Sequence, residues 1–143
     1  MDDSLLGELV SLERAALDRW NRLDPGGYTD LYTSEASYFD PATERRVDGA
    51  EALRALFAPR MNLQLPYLST RYEMIGPRVQ RHGDVAVLTF NLINYATAAD
   101  HTERVVVRWN STEIYTRMGG QWRLVHSHWS YIKPELRHAD PQI

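Results

Sequence analysis

The fold is decided by the stretch Trp122–Ser130, whose sequence is WRLVHSHWS. It follows a Gly119-Gly120 turn and the strand-like run 105–117, which together predict the second arm of a long β-hairpin. Strict alternation predicts one face with Trp122, Leu124, His126, His128 and Ser130, and another with Arg123, Val125, Ser127, Trp129 and Tyr131. A sheet that faces water on one side has one apolar and one polar face. Because this strand does not, we expect helices around a pocket to cover one face and a partner subunit to cover the other.

A long first helix is predicted over residues 4–20. Its apolar residues, including Leu5, Leu9 and Leu17, recur at helical spacing and are expected to face the core. Its charged residues, Glu13 among them, are expected to face solvent.

The remaining elements predict an α+β domain. A short second helix is expected around Tyr28 and Tyr32, and a third over residues 50–58, ending at Pro59 or one turn later. Strands are predicted over 36–40, 45–49, 68–80 with a bend at Gly76-Pro77, 85–98, 103–118 and 122–132. We therefore expect three N-terminal helices on one face of a strongly curved, mostly antiparallel sheet. Residues 1–133 form one domain in this interpretation, and 134–143 form a polar tail.

Composition excludes several classes of function. The chain has 143 residues, a net charge of −3 and no cysteine, so thiol chemistry, thiolate metal sites and disulfides are excluded. It has no basic block interleaved with aromatic residues, which argues against nucleic-acid binding. Its acidic start and the lack of a long apolar run predict a cytoplasmic protein without a membrane span or membrane partner.

Two groups of motifs resemble the NTF2-like superfamily, which has a cone-shaped, cystatin-like fold and includes SnoaL-like proteins. The first comprises Asp40-Pro41, Arg46, Gly49 and the helical segment 52–57. It is similar to the pattern around the catalytic aspartate of ketosteroid isomerases. The resemblance implies that Asp40 occupies the base position. The oxyanion-hole tyrosine of those enzymes falls near Ala16 here, and their second acid falls at Thr112 or Glu113.

The second group of motifs lies on the last two strands. Segments 113–115, 120–122 and 125–128 look like the end of the association (hub) domain of calcium/calmodulin-dependent protein kinase. The pocket arginines of that domain correspond to Asn91, Glu113 and Trp129, and Arg71 is the candidate for a compensating positive charge. This match implies that Val125, Ser127 and Trp129 face the cavity, whereas His126 and His128 lie on the opposite face.

Two carboxylates are the candidate catalytic residues. Glu113 shares a predicted strand face with Trp109 and Tyr115, and burial there would raise its pKa into a range useful for acid/base chemistry. Alternatively, Glu113 forms an ion pair with a nearby arginine. Asp40 either lines the same cavity or closes the Pro41-Ala42-Thr43 turn with its side chain.

The other candidates are a metal-binding pair and a set of pocket walls. His126 and His128, two residues apart on one strand, could chelate a metal, or they could be packing or dimer-face histidines. No metal site is assigned, because a third ligand is not evident. Aromatic walls with a few polar groups are typical of small-molecule sites. The expected substrate-binding residues are Trp20, Tyr38, Arg71, Asn91, Trp109, Tyr115 and Trp129.

The preferred hypothesis is a cofactor-free enzyme of the SnoaL-like or ketosteroid-isomerase-like type. It would form a homodimer and bind a small hydrophobic or polyketide-like molecule. Asp40 and Glu113 would move protons in an isomerisation, cyclisation, dehydration or hydrolysis. The alternative is a non-catalytic, homo-oligomeric ligand-binding or assembly domain that resembles the kinase hub.

Overall fold

The computed structural model describes residues 3–62 and 69–136. Its helices are α1 (Asp3–Asn21), α2 (Gly26–Thr29) and α3 (Ala50–Asn62), followed at the end by a 3-10 turn, Pro134–Leu136. Its strands are β1 (Tyr32–Phe39), β2 (Val47–Asp48), β3 (Arg71–His82), β4 (Val85–Thr97), β5 (Glu103–Met118) and β6 (Gln121–Tyr131). None of the described helices is both long and apolar enough to cross a membrane.

All six strands form one curved, open sheet with the order β2-β1-β6-β5-β4-β3. Every neighbouring pair is antiparallel except β1 and β6, which run parallel. The helices pack on the inner face, so the predicted α+β architecture is confirmed. The core lies between this inner face and the buried stripe of α1.

Helix α1 buries a stripe of residues at four-residue spacing. Leu5, Leu9 and Leu17 all face the core, as predicted, because successive turns of a helix bring residues i and i+4 onto one face. Glu13 occupies the remaining position of this row and is 0% exposed. The prediction that Glu13 faces solvent is therefore wrong, since helical geometry overrides the polarity of this side chain.

A bulge in β6 changes which residues of the decisive stretch face the core. Ile114 pairs with His126 and the next residue, Tyr115, pairs with Leu124, so Val125 is the extra residue of β6. The inner face consequently receives four side chains of that strand: Trp122, Leu124, Ser127 and Trp129. The prediction of strict alternation is wrong here, because one inserted residue exchanges the faces for the rest of the strand.

One predicted boundary changes, whereas the third helix follows one of its two predicted endings, a turn beyond Pro59. Tyr32 begins β1 instead of ending the second helix, because the backbone N–H of Leu124 bonds the carbonyl of Leu31 and draws this segment into the sheet. The third helix passes through Pro59 to its last residue, Asn62. The expected start of β3 at Leu68 lies outside the described residues.

A close helix contact positions α2. A Cβ atom on Gly27 would lie 2.9 Å from the Cα of Ala16 and 3.1 Å from the Cβ of Arg19. Real Cβ atoms do not approach backbone so closely, so only glycine allows α2 to rest against α1 here. This contact turns the next residue, Tyr28, into the core.

The substitution Gly27→Ala is expected to lower the free energy of unfolding by about 1–3 kcal/mol, because the added methyl group overpacks the α1–α2 contact. Gly7→Ala is the matched control. Gly7 is exposed within α1, and no atom lies within 4 Å of the position that an added methyl group would take, so this change should stabilise by about 0.5–1 kcal/mol. Denaturant unfolding of both variants gives the two values. Equal effects would contradict the role of Gly27.

Candidate functional site

A partly open cavity of about 110 Å³ lies between the three helices and the inner face of the sheet. Most of its wall is aromatic, contributed by Trp20, Tyr28, Tyr32, Tyr38, Phe57, Trp109 and Trp129. Its polar lining consists of Asn21, Asp40, Arg60 and Asn94. The cavity is therefore a mostly apolar pocket with a few polar groups, an arrangement typical of small-molecule sites.

The aromatic walls support one another edge to face. Trp20 meets Phe57 with ring centroids 5.0 Å apart, and Trp109 meets Trp129 at 5.6 Å. Tyr28 packs against the same Trp129 at 6.4 Å. Such pairs are each worth about 0.5–1.5 kcal/mol beyond area burial. They join α1, α2, α3, β5 and β6 around the cavity, so its shape is set by the fold.

Asp40 lies in the cavity wall, with 5% of its side chain exposed. The hydroxyl of Tyr38 donates to its Oδ2 at 2.8 Å, Arg60 donates to the same oxygen, and the N–H of Ala42 donates to Oδ1 at 2.8 Å. Burial raises the pKa of Asp40, but the hydrogen bonds from Arg60, Tyr38 and Ala42 outweigh it and leave the pKa below its ordinary 3.8. Asp40 is therefore a carboxylate at neutral pH.

A second acid lies below the cavity. Glu113 on β5 is 0% exposed, and neither of its carboxyl oxygens has a hydrogen-bond partner within the described structure. Ser127 faces it across the β5–β6 ladder without completing such a bond. Burial, followed by the charge of the neighbouring Glu13, raises the pKa of Glu113 well above its ordinary 4.5. The surroundings of Glu113 therefore favour its protonated form, in contrast to those of Asp40.

Glu13 of α1 is the carboxyl group that meets Glu113. Its Oε2 accepts a hydrogen bond from the hydroxyl of Tyr28 and its Oε1 accepts one from Tyr115, both at 2.8 Å. Burial raises the pKa of both tyrosines well above 10, so both remain donors. The neighbouring Tyr32 hydroxyl bonds Ser127 Oγ instead, at 2.6 Å.

The chain carries the sequence pattern of a known family. Residues 12–134 match the SnoaL-like domain. This chain belongs to the SnoaL-like domain family. The resemblance to NTF2-like proteins is thereby confirmed.

Solved structures agree with this assignment. A proposed ketosteroid isomerase of Parabacteroides distasonis is 38% identical, with 89% of this chain and 87% of that chain covered and a TM-score of 0.72. An NTF2-like protein of Pseudomonas putida is 24% identical over 91% and 88% of the two chains, with a TM-score of 0.74. The association domain of the C. elegans calcium/calmodulin-dependent kinase II is 19% identical over 90% and 97%, with a TM-score of 0.71. The last two show the shared fold only. No functionally curated protein matches the chain.

Within this SnoaL-like domain, the cavity brings together five of the residues singled out from the sequence: Trp20, Tyr38, Asp40, Trp109 and Trp129. Glu113 and Tyr115 lie beneath it in the core. The two candidate catalytic carboxylates therefore do not line one cavity. Asp40 also closes the 40–43 turn, so both roles considered for it occur together.

Two further predicted substrate-binding residues, Arg71 and Asn91, also lie outside the cavity. Arg71 pairs with Glu103 at 2.6 Å and stacks over Tyr95 at 3.8 Å, on an exposed part of the sheet. Asn91 donates to the backbone carbonyl of Trp109 at 3.0 Å. Asn91 belongs to the outer face because the inward residues of β4 are even-numbered. Arg71 of β3 belongs to the same face because it pairs with the odd-numbered Tyr95.

Three residues in or next to the cavity of the SnoaL-like domain are not among the predicted site residues. Glu13 continues the four-residue spacing of Leu5, Leu9 and Leu17, a signal that was available. Asn94 shares the inward, even-numbered phase of β4 and accepts a hydrogen bond from Trp109 Nε1 at 2.7 Å. Arg60 follows a proline that is expected to end its helix, so no local signal places it beside Asp40.

The histidine pair lies on the outer face of the SnoaL-like domain. The Nδ1 of His126 bonds Ser37 Oγ at 2.7 Å, and the ring of Phe39 contacts both His126 and His128. Burial, followed by the charge of His128, lowers the pKa of His126 below 6.5. The described residues contain no group of three potential ligands that could hold a metal ion.

The raised pKa of Glu113 makes stability depend on pH. The folded state keeps this proton above pH 4.5, where the unfolded chain releases it, so the fold loses stability as pH rises toward the folded-state pKa. Glu113→Gln should therefore stabilise more at pH 8 than at pH 5.5, by about 1.4 kcal/mol for each pH unit in which Glu113 remains protonated in the fold.

The control for this prediction is Glu103→Gln. The hydrogen bond from Arg71 lowers the pKa of Glu103 below 4.5, so Glu103 is ionised at both pH values. The effect of Glu103→Gln on the free energy of unfolding should therefore be equal at pH 5.5 and pH 8. Urea unfolding of the three proteins measures the difference. A Glu113→Gln effect that is the same at pH 5.5 and pH 8 would refute the protonated state.

Proposed function

We propose that this protein is a cofactor-free enzyme that moves protons on a small ring-containing molecule, with Asp40 as the base. The observation that carries the proposal is a carboxylate in the wall of a mostly aromatic cavity. Catalytic carboxylates contribute by positioned proton transfer to or from a bound substrate. The 38% identity to a proposed ketosteroid isomerase supports the same class of reaction.

The cavity volume indicates how much of the substrate enters. At about 110 Å³ it is somewhat smaller than an engineered cavity of roughly 150 Å³ that binds benzene. The interior therefore encloses no more than about one ring, and the rest of a larger polyketide-like molecule would extend through the open side. This volume favours a single-ring substrate or a substrate that inserts a terminal ring.

The chemistry at the wall favours isomerisation among the reactions considered. Asp40 is the only carboxylate that lines the cavity among the described residues. A single carboxylate can take a proton from one atom and return it to another, whereas cyclisation, dehydration and hydrolysis usually need a separate acid and base. The guanidinium of Arg60, beside Asp40, would stabilise negative charge that develops on a ring oxygen.

A second function has an observation in its favour. Arg60, Tyr38 and the Ala42 N–H already occupy the Asp40 carboxylate, and their hydrogen bonds lower its pKa, which weakens it as a base. The domain would then be a ligand-binding or assembly module in which Asp40 holds the cavity wall together.

Isomerisation of a β,γ-unsaturated cyclohexenone to the conjugated enone, followed by ultraviolet absorbance, separates the two functions. The wild-type protein should accelerate the reaction, and Asp40→Asn should reduce the acceleration by about 10²–10⁴-fold. Asp48→Asn is the control, because Asp48 is an exposed partner of Arg46 outside the cavity. Full activity in Asp40→Asn would exclude Asp40 as the base. Ring binding without acceleration would favour the second function.

We also propose that the outer face of the sheet joins two copies of this chain. The patch contains Phe39, which is 37% exposed, together with His126 and His128 against which it packs. Exposed aromatic clusters of this kind mark interaction surfaces.

Light scattering tests the homodimer. The wild-type protein should have twice the chain mass, and Phe39→Asp should shift it to the monomer because a charge would be buried in the interface. Leu23→Asp is the control, since Leu23 is exposed at the end of α1, away from this face. A monomeric wild-type protein at micromolar concentration would contradict the proposal.

A further inference from the structure

Two carboxyl groups lie together under the cavity without a cation. Glu13 and Glu113 are both 0% exposed, and no lysine, arginine or histidine of the described chain forms an ion pair with either. Two buried negative charges side by side would repel strongly and would each lose their hydration. A proton bound to one of the two groups removes most of this cost.

The hydrogen bonds indicate which member carries the charge. Glu13 accepts from two tyrosine hydroxyls, whereas neither oxygen of Glu113 accepts from any donor in the described part of the chain. Donated hydrogen bonds stabilise the ionised form of a carboxyl group. The donors therefore favour the negative charge on Glu13 and the proton on Glu113, which gives the pair a total charge of −1.

Tyr28 connects this pair to the cavity. The side chain lines the cavity and its hydroxyl donates to Glu13 Oε2 at 2.8 Å. Since its single proton is directed at Glu13, the hydroxyl oxygen has lone pairs left to accept a hydrogen bond. A hydroxyl group on a ring in the cavity would be a suitable donor.

We propose that the Glu13–Glu113 pair is a proton-accepting site for an enol or phenol bound in the cavity, reached through Tyr28. The ligand O–H bond breaks and its proton passes to Tyr28 Oη, while the original Tyr28 proton moves to Glu13 Oε2. The pair changes from a charge of −1 to neutral and the ligand becomes an enolate or phenolate. The inference rests on the proposed binding of a ring in the cavity.

The surroundings favour proton uptake. The groups that face the pair are all neutral: the hydroxyls of Tyr28 from α2, Tyr32 from β1, Ser127 from β6 and Tyr115 from β5, and the indole of Trp129 from β6. Loss of the one buried negative charge relieves its desolvation. Arg60, whose guanidinium pairs with Asp40, also lines the cavity, and its positive charge would attract the ligand anion.

The ionisation of bound 4-nitrophenol tests this proposal, because its phenolate absorbs visible light and its phenol does not. An apolar cavity alone raises the pKa of a bound phenol. The proposed relay, proton transfer through Tyr28 to Glu13, lowers this pKa instead. The apparent pKa of the bound probe should therefore be lower in the wild-type protein than in Tyr28→Phe or Glu13→Gln, by about one unit or more. Arg60 is present in all three proteins and cancels from the comparison.

Tyr72→Phe is the matched control. The Tyr72 hydroxyl also donates to a carboxylate at 2.8 Å, that of Asp18, but outside the cavity, so this variant should behave as wild type. If Glu13→Gln does not fold, the probe pKa in the wild-type protein and in Tyr28→Phe still tests the proposal.

The outcomes separate this inference from the proposed function. Equal probe pKa values in the wild-type protein and Tyr28→Phe would overturn the relay and leave ring binding intact. Failure of the wild-type protein to bind 4-nitrophenol at millimolar concentration would overturn ring binding and this inference with it. Loss of isomerase activity in Asp40→Asn bears on neither result.

Discussion

The hydrogen bonds that Tyr28 and Tyr115 donate to the buried carboxylate of Glu13 are the constraint on which the rest of the structure depends. They join α1, α2 and β5 at one point inside an otherwise apolar core. A buried charged group that loses its donors costs roughly 1–3 kcal/mol or more. The helices are therefore held in the one arrangement that satisfies Glu13, and the glycine contact at Gly27 permits it. The same arrangement forms the floor of the cavity.

The two acids of the domain differ because their surroundings differ. Asp40 is held as a carboxylate by donors, among them Arg60, whereas Glu113 has no donor among the described residues and keeps its proton. Environments that separate pKa values in this way assign acid and base roles at neutral pH. Asp40 lines the aromatic cavity and Glu113 does not, but Tyr28 links the lining to the Glu13–Glu113 pair.

The sequence predicts the architecture and the positions of Asp40 and Glu113, but not the rest of the site. Alternation along β5 places Glu113 correctly on the inner face, and the family motif places Asp40 at the cavity. Alternation does not reveal the bulge at Val125, because the same run of residues can form either a regular or a bulged strand. Residue type and family position favour Arg71 and Asn91 as pocket residues, but strand phase puts both on the outer face. The charge of Glu13 predicts exposure to solvent, whereas its spacing along α1 predicts the burial that the structure shows.

Everything proposed for the cavity floor depends on one proton that remains on the Glu13–Glu113 pair inside the folded protein at neutral pH. Carbon-13 NMR of side-chain-labelled glutamate measures it directly, since the carboxyl shift distinguishes the protonated from the ionised form. We expect one glutamate signal that stays in the protonated range at pH 7 and disappears in Glu113→Gln. A spectrum in which every glutamate is ionised at pH 7 in the folded protein would show that the pair holds no proton and would contradict this account.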